Sequence, residues 1–297
     1  MFGEWRNGET WPVGLIEVAA NTFAYVQAPG SAGISNAGVV LGPDRAVVVD
    51  ALTTNPMALA FLGKLRSVTA LPISHLLLTH HHVDHFLGIQ NFLPTQVVSH
   101  EQCRDEIARR GEAALANYRQ ARPHFVEGLR DTRICVPDQT FDQRLTLYLG
   151  DREVQFFHWG YAHTRGDAMI YLPREKVLYA GDIAFHRVTP LAHEGHIGNW
   201  LQVVDRVLAL DVETIVPGHG PVGGKSELEL MRGYLQRVYT ATRECFDAGL
   251  PEEEAAASID VGPYRDWVDA ERLGPNVKRA YGEFRGDLAA PSAAADC

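Results

Sequence analysis

The densest group of chemically capable side chains is the run Thr79-His80-His81-His82-Val83-Asp84-His85. It follows a short apolar segment, which predicts that the run leaves a buried strand and enters a loop. On extended backbone His80 and His82 project to the same side, because side chains alternate with a period of two. Asp84 and His85 come where the chain turns, so they can face a second centre close by. Imidazole and carboxylate are ligands for Zn²⁺, Fe or Mn, so the run predicts a metal site.

Further candidate ligands stand at the ends of three later apolar segments. His163, Asp182 and His219 each lie just past or at the edge of such a segment, and each has glycine close by. Glycine permits tight turns and close backbone approach, so these polar side chains can be held near one another. Taken singly, each also fits the role of an ordinary turn or loop residue. His81, which lies between the paired histidines, is expected to be exposed to solvent.

The elements that must position these residues are strands in both halves of the chain. Runs rich in Val, Ile and aromatic residues predict strands over 14–20, 23–27, 37–41, 45–50, 75–79, 96–99, 145–149, 153–157, 168–172, 177–180 and 214–217. Helical spacing predicts helices over 57–68, 101–118, 199–210 and 226–248, with a short helix from about residue 86. The recurrence of this pattern favours two β-rich halves packed sheet on sheet. The pattern weakens over 119–144, which fits either a lid over a site or a surface loop.

Composition limits the classes of protein to which the chain can belong. Its 297 residues are 46% hydrophobic and 22% charged, which is typical of a folded globular protein. The net charge of −10 argues against nucleic acid as the main partner, because phosphate binding relies on Lys and Arg. No apolar run reaches the roughly 18 residues that a membrane span needs, and no secretory signal is apparent. The four cysteines lie far apart without a CxxC motif, so we expect a reducing cytoplasm.

The motif HxHxDH is followed along the chain by a single His, then an Asp and then a final His. This ordered set resembles the metallo-β-lactamase-fold superfamily, and the resemblance covers about residues 18–224. The resemblance implies an α/β fold: an αββα sandwich of two mixed β-sheets with helices on the outer faces. The site would lie at one edge, between the sheets. We expect a catalytic domain over 1–225, a C-terminal helical extension packed on it over 226–286, and a flexible tail over 287–297.

The resemblance also implies a set of metal ligands. By motif match, the first metal would be bound by His80, His82 and His163, the second by Asp84, His85 and His219, and Asp182 would bridge the two. We expect two divalent ions, most readily Zn²⁺, with Fe or Mn as alternatives. Two cations about 3.5–4 Å apart can share a water and yield a bridging hydroxide, which attacks a carbonyl or phosphoryl centre. Asp84 could also orient this nucleophile or shuttle its proton. Asp167 is either a partner of a ligand or a turn carboxylate.

An aspartate at position 182 favours some branches of the superfamily over others. The best-known zinc β-lactamases carry Cys at this position, whereas an Asp resembles the thioesterases, lactonases, sulfatases and phosphodiesterases. We therefore predict a cytoplasmic dinuclear zinc hydrolase of a small acyl substrate, namely an ester, lactone or thioester. The alternatives are a β-lactam hydrolase, an iron-dependent oxidoreductase resembling persulfide dioxygenases, and a non-catalytic metal-binding module. We expect a small molecule as partner, with neither nucleic acid nor membrane, and leave the oligomeric state open, a homodimer included.

Substrate contacts are predicted in the segment that follows the proposed bridging aspartate. His186 and Arg187 come directly after the strand, so they could meet a substrate carboxylate or a developing oxyanion. His193 and His196 lie further along and could line the pocket or stand in a solvated loop. The sequence does not choose among the possible substrates.

Overall fold

Two facing β-sheets form the centre of the computed structural model, which describes residues 10–29 and 33–288. The strands of the first sheet are β1 (Gly14–Ala19), β2 (Thr22–Val26), β3 (Ala37–Leu41), β4 (Ala46–Val49), β5 (Ile73–Leu78), β6 (Gln96–His100) and β7 (Gln139–Phe141). They lie side by side in chain order. β1 to β4 pair antiparallel and β4 to β7 pair parallel, so this sheet is mixed.

The second sheet is also mixed. Its strands are β8 (Arg144–Leu149), β9 (Arg152–Phe157), β10 (Met169–Leu172), β11 (Val177–Phe185) and β12 (Thr214–His219). Their spatial order is β12-β11-β10-β9-β8, and only β11 and β12 pair parallel. The carboxyl ends of these two strands therefore meet at one edge of the sheet.

Helices cover the outer faces of both sheets. The α-helices of the described residues are α1 (Asn55–Val68), α2 (Val83–Phe86), α3 (Glu101–Ala121), α4 (Ile197–Ala209), α5 (Lys225–Asp247), α6 (Glu252–Ser258) and α7 (Leu273–Arg285). α1 and α3 pack on the seven-stranded sheet, and α4 and α5 pack on β11. The αββα sandwich predicted from the sequence is confirmed.

Strand β4 illustrates why this sequence forms a buried central strand. Its four residues are all apolar and all buried. Val47 and Val49 belong to the core between the sheets, whereas Val48 packs in the cluster that includes Phe61 of α1. Alternate side chains point to opposite faces of a strand, so a strand covered on both faces reads as a continuous apolar run.

Several predicted boundaries are wrong, and the errors cluster at the polar residues. β11 runs to Phe185 and β12 to His219, beyond the predicted ends at 180 and 217, so Asp182 lies inside a strand. The short helix begins at Val83 rather than near residue 86. A prediction based on apolar patterning ends a strand where the apolar run ends. In the structure the backbone pairing of β11 and β12 continues past that point, into the polar residues. Within 119–144, α3 continues to Ala121 and β7 adds a short edge strand.

The C-terminal helices pack against the sandwich. α5 contacts α4 and α7, and α6 contacts both α5 and α7. The division of the chain at residue 225 remains a prediction, and residues 289–297 of the predicted tail lie outside the described residues. None of the helices in the described part combines the length and hydropathy that crossing a lipid bilayer requires.

Candidate metal centre

Seven polar side chains from distant parts of the chain meet at one edge of the sandwich. Potential ligand atoms lie within 4.8 Å of one another in three groups, two of which contain these seven residues: His80, His82, His163 and Asp182 in the first, and Asp84, His85 and His219 in the second, while the third is His81, His82 and Glu194. All seven are residues that the sequence singled out as candidate ligands. The structure therefore brings the set together, while metal ligation itself remains a prediction.

Local backbone explains how the first motif supplies both groups. β5 ends at Leu78, and the chain bends at Thr79 and again at His81 before it reaches His82, whose backbone is extended with a ψ of 145°. The single turn of α2 then carries Asp84 and His85 in a different direction. One short segment thus contributes ligands to two adjacent positions.

Close backbone approach at Gly181 brings the second sheet to the motif, and close approach at Gly218 brings β12 to Asp182 of β11. Gly181 has a φ of +51°, and a Cβ atom there would lie 2.6 Å from Cβ of Thr79. A Cβ atom on Gly218 would lie 1.9 Å from Oδ1 of Asp182. Neither position can accept a larger residue without displacing the site, because real Cβ atoms do not approach other atoms so closely.

The carboxylate of Asp182 lies between the two groups of ligands. Its Oδ2 is 3.2 Å from Nε2 of His163 and 3.8 Å from Nε2 of His80, both in the first group. The same oxygen is 3.3 Å from Nε2 of His219, and Oδ1 is 3.1 Å from Nε2 of His85, both in the second group. One carboxylate therefore faces imidazoles of both groups, as a bridging ligand would.

The hydrogen-bonding state of the ligand atoms fits metal binding. Nε2 of His80, Nε2 of His85 and Oδ1 of Asp182 are buried and make no well-aligned hydrogen bond among the described residues, although the last two atoms lie 3.1 Å apart. Leaving such groups unpaired in a protein interior costs free energy, so buried polar atoms are normally satisfied. A pair of divalent cations would satisfy all three at once. The residues present thus fit the metals that the fold implies.

Electrostatics at the site also favour bound cations. Burial alone would raise the pKa of Asp182, but the imidazoles of His219 and His85 outweigh it and hold that pKa well below the usual range. Burial lowers the pKa of His80 and of His163 well below its ordinary value. The site therefore presents an ionised carboxylate and neutral imidazoles at His80 and His163, which are forms that bind divalent metals, whereas burial is outweighed by nearby carboxylates, which raise the pKa of His82 and of His85.

Asp50 is a functional candidate that the sequence reasoning missed. Its Oδ2 lies 2.8 Å from Nδ1 of His85, on the side of the ring away from the centre. The same carboxylate accepts hydrogen bonds from the backbone N–H and the hydroxyl of Thr79, each at 2.8 Å. Such a carboxylate fixes the orientation and tautomer of a ligating imidazole. Its position directly after the buried strand β4 is the signal that could have found it.

Glu194 is a second missed residue. Its Oε2 lies 2.9 Å from Nε2 of His81 and 3.4 Å from Nε2 of His82, and its Oε1 accepts a 3.0 Å hydrogen bond from Arg110. Nδ1 of His82 lies 2.8 Å from Nε2 of His163, so this nitrogen faces the centre. The expectation that His81 is exposed to solvent is wrong, since only 11% of its side chain is accessible. Glu194 keeps it inside the site.

A cavity of about 380 Å³ opens onto the candidate centre. His82, Asp84, His163, Asp182 and His219 all line it. His193, a predicted substrate contact, also lines the cavity, and its ring stacks on that of His82 with centroids 5.1 Å apart.

The other predicted substrate contacts do not reach this cavity among the residues that the structure describes. His186 is fully buried, its Nδ1 lies 3.0 Å from the carbonyl oxygen of Pro221, and burial lowers its pKa to about 4. Arg187 has a φ of 62°, in the left-handed region, where the chain turns away. His196 accepts a hydrogen bond from Asn199 N–H and so caps α4. Their roles in substrate binding remain predictions.

Asp167 sits in the turn that follows His163. Its carboxylate accepts hydrogen bonds from the backbone N–H of Thr164 at 2.8 Å and from the Thr164 hydroxyl at 2.5 Å. Burial raises the pKa of Asp167 to about 7. These contacts fit a turn carboxylate, one of the two roles that the sequence allows, and the described structure shows no hydrogen bond between this carboxylate and a candidate ligand.

Family comparison agrees with this geometry. Residues 30–219 match the model of the metallo-beta-lactamase superfamily. The chain belongs to this superfamily. The matched segment spans nearly two thirds of the chain and contains all seven candidate ligands, so the family resemblance predicted from the motif is confirmed. Superfamily membership also implies binding of divalent metals, without fixing their identity.

Two curated relatives show how distant the individual matches are. The linear primary-alkylsulfatase of Pseudomonas sp. (strain ATCC 19151) is 21% identical over 264 residues, which cover 76% of this chain and 50% of that protein. The metallo-beta-lactamase type 2 of Bacteroides fragilis is 24% identical over 141 residues, covering 46% of this chain and 55% of that protein. The chain thus spans about half the length of these relatives.

A solved structure supports the same fold. The stereoselective inverting sec-alkylsulfatase from Pseudomonas sp. superposes with a TM-score of 0.71 at 19% identity, over 93% of this chain and 51% of that one. At this identity the likeness extends to the fold alone. The superposition covers 93% of this chain, whereas the superfamily segment ends at residue 219. The superposed part therefore includes C-terminal helices that follow that segment.

Proposed function

We propose that this superfamily member is a dinuclear metal hydrolase that cleaves an ester, lactone or thioester of a small acyl substrate. The observation that carries the proposal is the position of Asp182, whose two oxygens lie 3.1–3.8 Å from imidazole nitrogens of both ligand groups. A cavity of small-molecule size adjoins that carboxylate. A module that only bound a partner would have no chemical need for all seven ligands.

The residues have distinct roles in the proposed centre. One divalent cation would be held by His80, His82 and His163. The other would be held by Asp84, His85 and His219, and Asp182 would bind both cations. When bound, the two cations supply Lewis acidity, which activates water and polarises the bond to be cleaved. Zn²⁺ is the proposed metal, since imidazole and carboxylate suit it.

Asp84 is the residue to which we assign proton transfer in this proposal. It lines the cavity, and its Oδ2 lies 3.4 Å from Nε2 of His219 and 4.0 Å from Nε2 of His85. Asp84 also has more exposed side-chain surface than Asp182, 11% against 3%. A carboxylate at the cavity edge can accept the proton of the attacking water and deliver it to the leaving oxygen or sulfur.

A sulfate ester is a second candidate substrate. The specific observation in its favour is that a curated relative and a solved structure with the same fold are both alkylsulfatases. The chain covers only about half of each, so this activity is a proposal for the present protein. For its location we propose a reducing compartment such as the cytoplasm, because Cys103, Cys135 and Cys245 are free thiols.

Metal analysis combined with a substrate panel tests the proposal. We expect about two Zn²⁺ per chain and turnover of an ester, lactone or thioester. Chelation should abolish that turnover and lower the melting temperature, and added Zn²⁺ should restore both. Alkyl sulfates and β-lactams in the same panel separate the alternative substrates. Full turnover after exhaustive chelation would refute the proposal, and a single bound Fe with no hydrolysis would favour the oxidoreductase alternative.

A further inference from the structure

One wall of the cavity is a single face of helix α3. Ile107, Gly111, Ala114 and Tyr118 follow one another at helical spacing, and all four line the cavity. Ala114 presents only a methyl group and so leaves space beside the helix, whereas the backbone at Gly111 packs closely against Ile134, since a Cβ atom there would lie 2.8 Å from Cγ2 of Ile134. α3 packs beside α2, the helix that carries Asp84 and His85, so this wall adjoins the candidate centre.

The two arginines that line the cavity already have carboxylate partners. Nε of Arg110 lies 2.6 Å from Oε2 of Glu106, and Nη2 lies 3.0 Å from Oε1 of Glu194. Nη2 of Arg272 lies 2.6 Å from Oδ2 of Asp269. A second anionic group on a substrate would have to displace one of these carboxylates. The cavity therefore favours a substrate that carries no charged group other than the one that reacts.

From these observations, and resting on the proposed function, we infer that the α3 face is a subsite for an uncharged, apolar acyl or alkyl chain of the substrate. The reacting carbonyl or sulfate group lies at the candidate centre, and the chain lies along the face formed by residues 107, 111, 114 and 118. Ala114 limits the chain length that can be accepted. Substrates with a charged far end are excluded, because burying an additional charge there is costly.

Calorimetric titration of the zinc-loaded protein with straight-chain carboxylates, from butanoate to decanoate, tests this subsite without turnover. The carboxylate end mimics the acid product of ester hydrolysis. We expect the affinity to rise about fourfold for each added methylene until the cavity is filled. Octanedioate, which carries a second carboxylate on a chain of equal length, should bind at least about tenfold more weakly than octanoate. Equal or tighter binding of octanedioate would overturn the inference.

Two variants of α3 locate the subsite. Ala114→Phe fills the space beside the helix, so octanoate should lose about tenfold in affinity while butanoate changes by less than about twofold. Ala116→Phe introduces the same side chain at an exposed position two residues further on, which does not line the cavity, and should leave both affinities unchanged. Thermal melting checks that each variant folds. If Ala114→Phe does not fold, Ala114→Val should give about a threefold loss for octanoate.

The outcomes separate this inference from the proposed function. A wild-type protein whose affinity does not depend on chain length, or an Ala116→Phe variant that loses as much affinity as Ala114→Phe, refutes the subsite even if esters are hydrolysed. An affinity that clearly depends on chain length in the wild type, and loses that dependence in the Ala114 variant but not in Ala116→Phe, supports the subsite even if the ester panel shows no turnover. In that second case only the assignment of the hydrolysed bond fails.

Discussion

Oε2 of Glu194 lies 3.4 Å from Nε2 of His82, on the side of the imidazole opposite the candidate metal centre. The glutamate comes from the segment between β11 and α4, and Arg110 of α3 binds its other oxygen at 3.0 Å. The ring of His82 is therefore oriented by a carboxylate that is itself held in place. Outer partners of this kind tune how tightly a histidine binds metal.

Replacing Glu194 by Gln is expected to weaken metal binding roughly 10- to 100-fold, because His82 loses its charged partner. Competition with a chromophoric chelator measures this affinity directly. Glu112→Gln, at an exposed position of the same helix as Arg110, serves as the control and should bind metal like the wild type. Unchanged affinity in Glu194→Gln would show that His82 needs no such support.

Substitution of Asp50 by Asn tests a second carboxylate–histidine contact. Asn at this position cannot accept the same set of hydrogen bonds from Thr79 and His85, so the metal-free protein should lose about 1–3 kcal/mol of unfolding free energy. Chemical denaturation after chelation measures the loss. Asp44→Asn removes an exposed carboxylate 3.3 Å from Arg45 and should cost less than about 1 kcal/mol. Equal effects of the two substitutions would argue against a positioning role for Asp50.

The bridging position of Asp182 predicts a coupled loss. Asp182→Ala removes a ligand from both proposed metals, so metal content and turnover should fall together, by more than the roughly 10- to 100-fold typical of an outer partner. Elemental analysis and the substrate panel on the same preparation provide the two readouts. Asp211→Ala, at an exposed residue paired with Lys176, is the matched control. Full turnover by Asp182→Ala would exclude the bridge.

A buried histidine pair predicts that the fold is sensitive to acid. The rings of His100 and His158 stack with centroids 4.0 Å apart. Burial lowers the pKa of His100 to about 3 and also lowers the pKa of His158. The unfolded chain, with ordinary histidine pKa values near 6.5, therefore binds more protons in acid than the folded chain. Stability should be complete above about pH 6.5 and fall as the pH decreases towards 3.

His100→Asn isolates this effect, because asparagine can still accept the hydrogen bond from Gln102 N–H at the start of α3. One such histidine contributes a slope of up to about 1.4 kcal/mol per pH unit, so the variant should lose less stability than the wild type between pH 6.5 and 5. Denaturant melts of the metal-free proteins measure the slopes. His124→Asn, at an exposed residue, should keep the wild-type slope. An unchanged slope in His100→Asn would contradict the assignment.

The sequence predicted the fold and the family because both leave local signatures. Buried strands such as β4 read as apolar runs, and the metal-binding motif has fixed spacing around position 82. Glycines near Asp182 and His219 correctly indicated close backbone approach. The sequence therefore predicts all seven of the candidate ligands that the structure brings together.

The remaining features depend on tertiary contacts that no local pattern records. Asp50 and Glu194 lie far along the chain from the rings they orient, and neither has a characteristic spacing to them. Nearness in sequence to Asp182 predicts His186 as a substrate contact, and this role remains a prediction, but the structure buries the ring with Nδ1 3.0 Å from the carbonyl oxygen of Pro221. Proximity along a chain does not determine where a side chain points.

The contact between Gly218 and Asp182 has a practical consequence for engineering. A Cβ atom at position 218 would lie 1.9 Å from Oδ1 of Asp182, so mutagenesis libraries that randomise this position will mostly displace that carboxylate. The α3 wall offers the opposite situation, because alanine at position 114 borders open volume. Efforts to redirect selectivity are best concentrated on that helix, with the strand ends kept invariant.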